Sequence, residues 1–411
     1  MKILIVTQYF WPENFRINDL AIALKARGHD VVVLAGIPNY PSGRFFKGYG
    51  WFSPTRERWE GISIIRCPII PRGKGGGLRL AINYASYALS ASLLGPWLCR
   101  GQFDVVFAYE PSPITVALPA LLLGRLRKMP VLLWVLDLWP ESVTAAGSVK
   151  SPFILRMIDR MVRFIYRRCD LILVQSRAFI ERIRAQEAAA MKIRYFPNWA
   201  ESIFTQSPTG ESPFELPDGF RVVFAGNIGA AQDFEAILQA AERVREEARI
   251  HWVIVGDGRM AGWLRSEIQS RRLTGTVHLM GSHPLEAMPA LFASADAMLV
   301  TLKEDPIFSL TIPGKIQSYL ACGRPVIGML DGEGAKVLQE SGAALVGPAG
   351  DSGTLADNVL ALYRQSHEKR QLMGQSGREY YLRHFERNHL MSQLEQWLSE
   401  VHGPKPPHKS A

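Results

Sequence analysis

Cysteine is scarce in this 411-residue chain: Cys67, Cys99, Cys169 and Cys322 are widely spaced and none forms a CxxC pair. No His/Cys cluster has metal-ligand spacing either, so neither a disulfide scaffold nor a zinc site is expected. The four read as buried free thiols of a reducing compartment. A GxSxG elbow, a Walker loop and an HExxH pair are also missing, which removes three common catalytic signatures. No secretory leader is expected, because Lys2 precedes only the short apolar run 3–6 and no small-residue cleavage site follows. Acid is in deficit: 38 Asp+Glu against 47 Lys+Arg leave a formal charge of +9. That balance suits nucleotides, nucleic acid or an anionic membrane surface. Without aromatic–basic interleaving or a recognised module, nucleic acid is set aside.

One stretch lacks charge altogether. Residues 80–99, LAINYASYALSASLLGPWLC, lie uncharged between Arg79 and Arg100. Such a length suffices to span a bilayer, but Asn83, Pro96 and the serines and tyrosines dilute it. A helix in the core, one lying on the membrane interface and a spanning helix are the three readings. Arg72, Lys74 and Arg79 just before it favour anionic lipid, or form an ordinary solvated loop.

What is present is a long, regular alternation. Hydrophobic content of 47% with 21% charged residues fits a folded protein, and the length implies two domains. Short apolar runs at 2–7, 31–35, 105–108, 131–135 and 171–174 are separated by helical patterns, including 18–26 and 154–167. Fully apolar runs of this length are what buried parallel strands show. Residues 201–219, rich in Pro, Gly and Ser, read as a linker. The alternation then restarts with strands at 221–225, 251–255, 277–280 and 297–301 and helices at 234–247, 260–272 and 285–294. Two doubly wound α/β domains are expected, with ligands at the carboxyl ends of the strands. Residues 402–411 read as a disordered tail.

The segment 309–325, SLTIPGKIQSYLACGRP, carries the main chemical signal. Pro313 near a helix start and Gly323 past its end are the expected asymmetry. Lys315 in the first turn is misplaced for stability, since helix N-termini favour anions. It makes sense if the helix N-terminus and Lys315 together hold a diphosphate. Gly226-Asn227-Ile228-Gly229 sits between a strand and a helix, where glycine lets backbone N–H groups approach a phosphate or simply makes a tight turn. Gly256-Asp257-Gly258, with Gly262, is one residue too long in its last spacing for GxGxxG, so no nicotinamide or flavin site is expected. Asp137-Leu-Trp139-Pro-Glu141 follows a strand directly. Asp137 is placed to orient or deprotonate an acceptor hydroxyl, or to cap the next helix. Glu13-Asn14-Phe15-Arg16 forms a second polar loop at the same rim, with Arg16 an anion clamp or plain surface charge. His29, at a helix-to-strand turn, reads as a capping residue. No carboxylate cluster suggests a divalent ion, so no metal and no cofactor are expected.

Taken together, YFWPENFRINDLA (9–21), KARGHDVVVLAGIPNYPSGRFFKGYG (25–50), VLDLWPES (135–142), FPNW (196–199), FAGNIGAAQDFEAI (224–237), VIVGDG (253–258) and LKEDPIFSLTIPGKIQSYLACGRPVI (302–327) resemble the family 4 glycosyltransferases of GT-B fold. More narrowly they resemble the bacterial subfamily assigned to N-acetyl-L-fucosamine transfer in O-antigen and capsule synthesis. The resemblance implies two Rossmann-like domains facing a central cleft: 1–200 on the acceptor side and 220–385 binding the nucleotide sugar, with helix 386–401 packing back on the first. It implies a retaining, metal-independent transfer from a UDP-sugar to a lipid-linked (polyprenyl-diphosphate) or saccharide acceptor, in the cytoplasm at the inner face of the cell membrane. Gly226, Asn227 and Gly229 would form the phosphate loop, with Asp257 and Gly258 beside the nucleoside. Thr311, Pro313, Gly314, Lys315 and Gln317 would line the diphosphate and sugar. The acceptor would lie near Glu13, Asn14, Arg16, Asp137, Trp139 and Glu141.

Three departures stand out. The family's E-x7-E glutamates fall on Leu310 and Ser318. Its loop Arg is Asn227, and the partner Lys falls near Gln232. Its acceptor-loop His is Leu136. Lys315 is then the main cation left for the diphosphate, and Glu304 or Asp305 replaces the lost carboxylate. A UDP-sugar 2-epimerase and a non-catalytic sugar-binding protein on the same architecture are the rival readings.

Overall fold

The computed structural model describes residues 1–403 other than 54, 74–75, 146–148, 150, 187–189, 207–213 and 248. Lys74, the middle of the segment read as a linker, and residues 404–411 of the tail lie outside them. The chain divides into two units, one of residues 1–197 with 388–411 and one of residues 198–387.

The first unit holds an eight-stranded sheet: β1 (Lys2–Val6), β2 (Asp30–Gly36), β3 (Arg56–Trp59), β4 (Ile62–Cys67), β5 (Val105–Glu110), β6 (Val131–Val135), β7 (Leu171–Val174) and β8 (Ile193–Tyr195). The order is β3-β4-β2-β1-β5-β6-β7-β8, parallel except for β3 against β4. Ile3, Leu4, Ile5, Val33, Leu34 and Val105–Ala108 have no solvent exposure, as expected for strands covered on both faces. The chain runs outward from β1 in both directions, so the switch point lies between β1 and β5. The β3–β4 hairpin was not expected from apolar runs. It is built around the buried Arg66, which pairs with Glu57 and donates to the Gly36 carbonyl at 3.1 Å.

The second unit holds six parallel strands: β9 (Phe220–Ala225), β10 (Ile250–Val255), β11 (Val277–Gly281), β12 (Ala297–Thr301), β13 (Val326–Met329) and β14 (Ala344–Gly347), ordered β11-β10-β9-β12-β13-β14. Alternate residues feed two cores. Val223, Val253, Met298 and Val300 face one side with Phe204, Phe292, Ile316 and Tyr319. Val222, Phe224, Ile254 and Leu299 face the other with Phe234, Leu264 and Leu355. Here the switch point lies between β9 and β12. Phe204 and Phe214, from the segment read as a linker, are buried in the first of these cores, and Phe204 stacks on Phe292 at 5.2 Å.

The helix Arg387–His402 belongs to the first unit. Glu395 accepts from Arg27 at 2.7 Å and contacts His29 Nε2 at 2.9 Å, while Trp397 meets Phe196 edge-on at 5.9 Å. His29, expected as a cap, instead ties this helix to the strand edge. The uncharged stretch forms the helix Gly77–Leu98. One face, with Asn83, Tyr87, Ala91 and Gly95, is buried, and the Tyr87 hydroxyl donates to the Leu34 carbonyl at 2.9 Å. Leu78, Leu89, Leu93 and Trp97 on the other face are exposed. Among the described residues no helix is long and apolar enough to cross a membrane. The cysteines are unbonded; Cys67, Cys99 and Cys169 are buried and Cys322 is half-buried.

Candidate active site

In the second unit, glycines at two strand ends allow two loops to interlock. Gly226 and Gly256 follow β9 and β10 with φ of +144° and +141°. A Cβ on Gly256 would lie 1.8 Å from the Gly226 carbonyl oxygen, so glycine is required there. The Ile228 amide donates to the Asp257 carbonyl at 2.8 Å and the Met260 amide returns to the Ile228 carbonyl at 3.0 Å. Gly258 is equally tight, its Cβ position lying 2.4 Å from the Ile228 oxygen.

Above this floor sits the helix Gly314–Ala321, begun by Pro313 without a side-chain cap. Tyr319 pins it to the end of β9: its hydroxyl accepts from the Ala225 amide at 3.0 Å and lies 3.2 Å from the Ala225 carbonyl. Lys315, in the first turn, points across the loop. Its ammonium donates to Gln232 Oε1 at 3.0 Å, lies 3.8 Å from the centroid of the Phe224 ring, and sits 3.3 Å from where a Gly226 Cβ would be. Burial with no carboxylate partner among the described residues lowers its pKa from 10.5 to about 7. Gln232, the position where the resemblance expects a lysine, thus holds the lysine that comes from the helix. Lys303 runs beside the same turn, its amide bonded to the Ala231 carbonyl at 2.9 Å.

Structure brings Gly226, Asn227, Gly229, Asp257, Gly258 and Lys315 together on this floor. Other expected donor residues are engaged within the protein. Asp305 caps the short helix Pro306–Ser309, accepting from the Ile307 amide at 2.9 Å. Gln317 has no solvent exposure, and its amide turns back to the carbonyls of Pro313 and Gly314. Thr311 donates to the Phe308 carbonyl at 2.9 Å. Ser318 is buried, so the position of the missing second glutamate is filled by a small side chain within the core.

In the first unit the switch-point loops carry a second cluster. Glu13 is 1% exposed. Its Oε1 accepts from the amides of Asn39 (2.8 Å) and Tyr40 (2.7 Å), and its Oε2 accepts from that of Phe10 (3.3 Å). Burial outweighs these three donors and pushes its pKa up to about 7. Glu13 therefore ties the loops after β1 and β2 to each other, while Asn14 beside it is exposed and Arg16 begins the helix Arg16–Ala26. Asp137 accepts from the Ser142 hydroxyl at 3.0 Å rather than capping a helix; burial raises its pKa. Trp139 donates to the Ser112 hydroxyl at 3.3 Å and lies 6.2 Å from the Tyr84 ring. Glu141 opens the helix Glu141–Ala145 with its Oε2 buried and unpartnered.

Several residues of this cluster escaped the sequence reading. Glu110, the last residue of β5, is fully buried; its pKa is well above the usual carboxylate range through burial and then the nearby Asp137. Tyr9, Phe15 and Tyr40 pack as an aromatic group, with Tyr9 stacked on Phe15 at 4.8 Å and the Arg72 guanidinium 5.0 Å from the Tyr40 ring. Aromatic faces with hydroxyls at their edges suit a polyol that is apolar on one face. Nothing local in the sequence marks them, because they come from loops that only the parallel crossovers bring together.

Residues 14–199 match the model of a glycosyl transferase 4-like domain, and residues 219–365 that of the glycosyl transferases group 1. The chain is a GT-B glycosyltransferase. WcaI of Escherichia coli K12, named as a colanic acid biosynthesis glycosyl transferase, is 26% identical to it over 79% of this chain and 82% of that protein. WbjE of Pseudomonas aeruginosa, named as a glycosyltransferase, is 30% identical over 54% of this chain and 58% of its own length. Among solved structures, Anabaena HepE in complex with UDP superposes with a TM-score of 0.70 at 14% identity, covering 97% of this chain and all of that one. The E. coli trehalose-6-phosphate protein bound with UDP-2-fluoro glucose gives 0.72 at 12% identity, over 99% and 100%. The narrower N-acetyl-L-fucosamine subfamily finds no such support in these names.

Proposed function

We propose that this glycosyltransferase moves a sugar, N-acetyl-fucosamine or another N-acetylhexosamine, from a UDP-sugar to a hydroxyl of a lipid-linked or saccharide acceptor, with retained anomeric configuration, in bacterial surface polysaccharide synthesis. The observation that carries this reading is the Lys315 ammonium, half-buried, with no carboxylate partner among the described residues, and aimed over the glycine loop 226–229. A cation held so has an unmet need for an anion, and the helix N-terminus it extends adds to that need. As the bond from the sugar's anomeric carbon to the diphosphate breaks, negative charge grows on the departing UDP. Lys315 and the first-turn amides of helix 314–321 take up that charge. Asp137 and the aromatic group of the first unit orient the acceptor hydroxyl. The bound UDP and UDP-sugar in the two structural neighbours, and the polysaccharide name of the E. coli relative, support the donor and the pathway class.

The test is a donor screen with the purified protein against a polyprenyl-diphosphate-linked GlcNAc acceptor, with product detected by mass. One UDP-sugar should yield a product heavier by one sugar residue. Conversion of a UDP-sugar without acceptor would identify an epimerase instead, and no turnover of any UDP-sugar would overturn the reading.

A lipid-linked acceptor requires a membrane-facing surface, and the first unit offers one. Leu78, Leu89, Leu93 and Trp97 project from helix 77–98, and Phe153 and Met157 from the helix Pro152–Arg168, which carries five arginines and the single acid Asp159. The helix Ala117–Arg127 contacts both, adding the exposed Leu126. Apolar side chains among arginines fit an anionic interface. At low salt the protein should float with phosphatidylglycerol vesicles, and Trp97→Asp with Leu93→Asp should abolish flotation. Recovery of the unaltered protein wholly in the unbound fraction would count against it.

A further inference from the structure

A cavity lies at the opposite pole of the second unit's sheet. Asp296 and Pro325 immediately precede β12 and β13, so the cavity they help to line opens at the amino ends of the strands. The loops 226–229 and 256–258 follow the carboxyl ends. The cavity holds about 270 Å³, below the roughly 300–1,000 Å³ of drug-sized ligand sites but ample for a phosphate group.

Its charges do not balance. Asp296 is the lone carboxylate on the wall. It accepts from the Arg221 amide at 3.0 Å and lies 3.6 Å from both Arg221 Nε and Arg370 Nη2. Arg370 is fixed by donation to the Gln365 carbonyl at 2.7 Å. Among the described residues Arg324 forms no ion pair, and its one hydrogen bond is a long one, 3.4 Å to the Ala295 carbonyl; burial holds its pKa below the usual guanidinium range, and the nearby Asp296 offsets only part of that. Counting Arg221, which pairs with Asp296 without lining the space, three guanidinium groups meet one carboxylate, an excess of two positive charges. The side chains of His367, Gln371 and Gln375, on one face of the helix His367–His384, also line the space and make no hydrogen bond within the described residues.

The walls are rigidly related. The helix meets the turn at Gly323 so closely that a Cβ on Gly374 would lie 2.1 Å from the Gly323 carbonyl oxygen. A helix-end cation alone needs neither a cavity nor free amides beside it. We propose that this cavity binds a phosphate dianion, either inorganic phosphate or a small phosphate monoester, through Arg324 with Arg370, His367, Gln371 and Gln375. The charge of a phosphate monoester, about −1.5 to −2 at neutral pH, matches the excess, and guanidinium forks suit its oxygens.

Calorimetry of the full chain with inorganic phosphate and, separately, with glycerol phosphate tests this. Binding should weaken roughly tenfold or more in Arg324→Gln and in Gln371→Glu, the loss of one charge-assisted contact. Gln371 is exposed, so its replacement leaves the fold intact even if Arg324→Gln does not. Lys315→Ala should retain the binding that the two cavity variants lose. The probe bound more tightly identifies the source of the phosphate. No binding at millimolar probe, or loss in Lys315→Ala with retention in the two cavity variants, overturns the proposal.

Discussion

Lys315→Ala is expected to lower turnover on the order of a hundredfold, about 3 kcal/mol in the barrier, with the fold retained. Among the described residues its ammonium bonds to Gln232, lies over the Phe224 ring and forms no ion pair, so its removal breaks none. It relieves a cost: the folded-state pKa of about 7 lies below the ordinary 10.5. Between those values the folded chain binds fewer protons than the unfolded one, and stability rises with pH across that window. The burden is full below about pH 7. Lys315→Met should therefore raise the urea midpoint of the ligand-free protein at pH 6 while lowering turnover as Lys315→Ala does, a stability gain bought with function. UDP binding should also draw a proton onto Lys315 at pH 8, visible as calorimetric heats that depend on the buffer's ionisation enthalpy. Undiminished turnover in Lys315→Ala, or heats identical in all buffers, would contradict the assigned role.

Glu13→Ala is expected to cost on the order of 3 kcal/mol or more in stability, since it strands the buried amides of Phe10, Asn39 and Tyr40. Glu13→Gln keeps an acceptor oxygen and should cost less. The pH dependence has a definite sign. Because the folded pKa of about 7 exceeds the ordinary 4.5, Glu13 contributes most below pH 4.5, and its contribution falls as pH rises to about 7. A proton on Oε2 leaves the two bonds to Oε1 in place. Urea midpoints at pH 5 and pH 8 should show the unaltered protein losing ground to Glu13→Gln. Parallel pH curves for the two would refute the assignment.

Most strands were legible in the sequence because both faces of each sheet are covered, which leaves unbroken apolar runs such as 131–135. β3 and β4 were not, since their pairing is organised by a buried arginine and carried by a charged strand, RERW. Lys315 was legible for a local reason, a cation where a helix N-terminus disfavours one. Its partner Gln232 was visible only as a missing lysine. Glu110, Ser112 and Tyr84 could not be read, because their juxtaposition is a property of the β1–β5 switch point and of no single segment. Glu13 and Gln317 show the converse limit. A polar residue in a loop that resembles a binding loop can be spent on holding that loop together.

The anchoring of helix 387–402 by Arg27, His29 and Phe196 sets where this chain can be cut for recombination with its relatives. A junction at residue 198 alone would carry away a piece of the first unit with the second, leaving Leu390, Met391, Leu394 and Leu398, all buried, to pack on a foreign surface. A chimera that exchanges the second unit has to replace an internal cassette, with one seam near Pro197 and the other near Arg387.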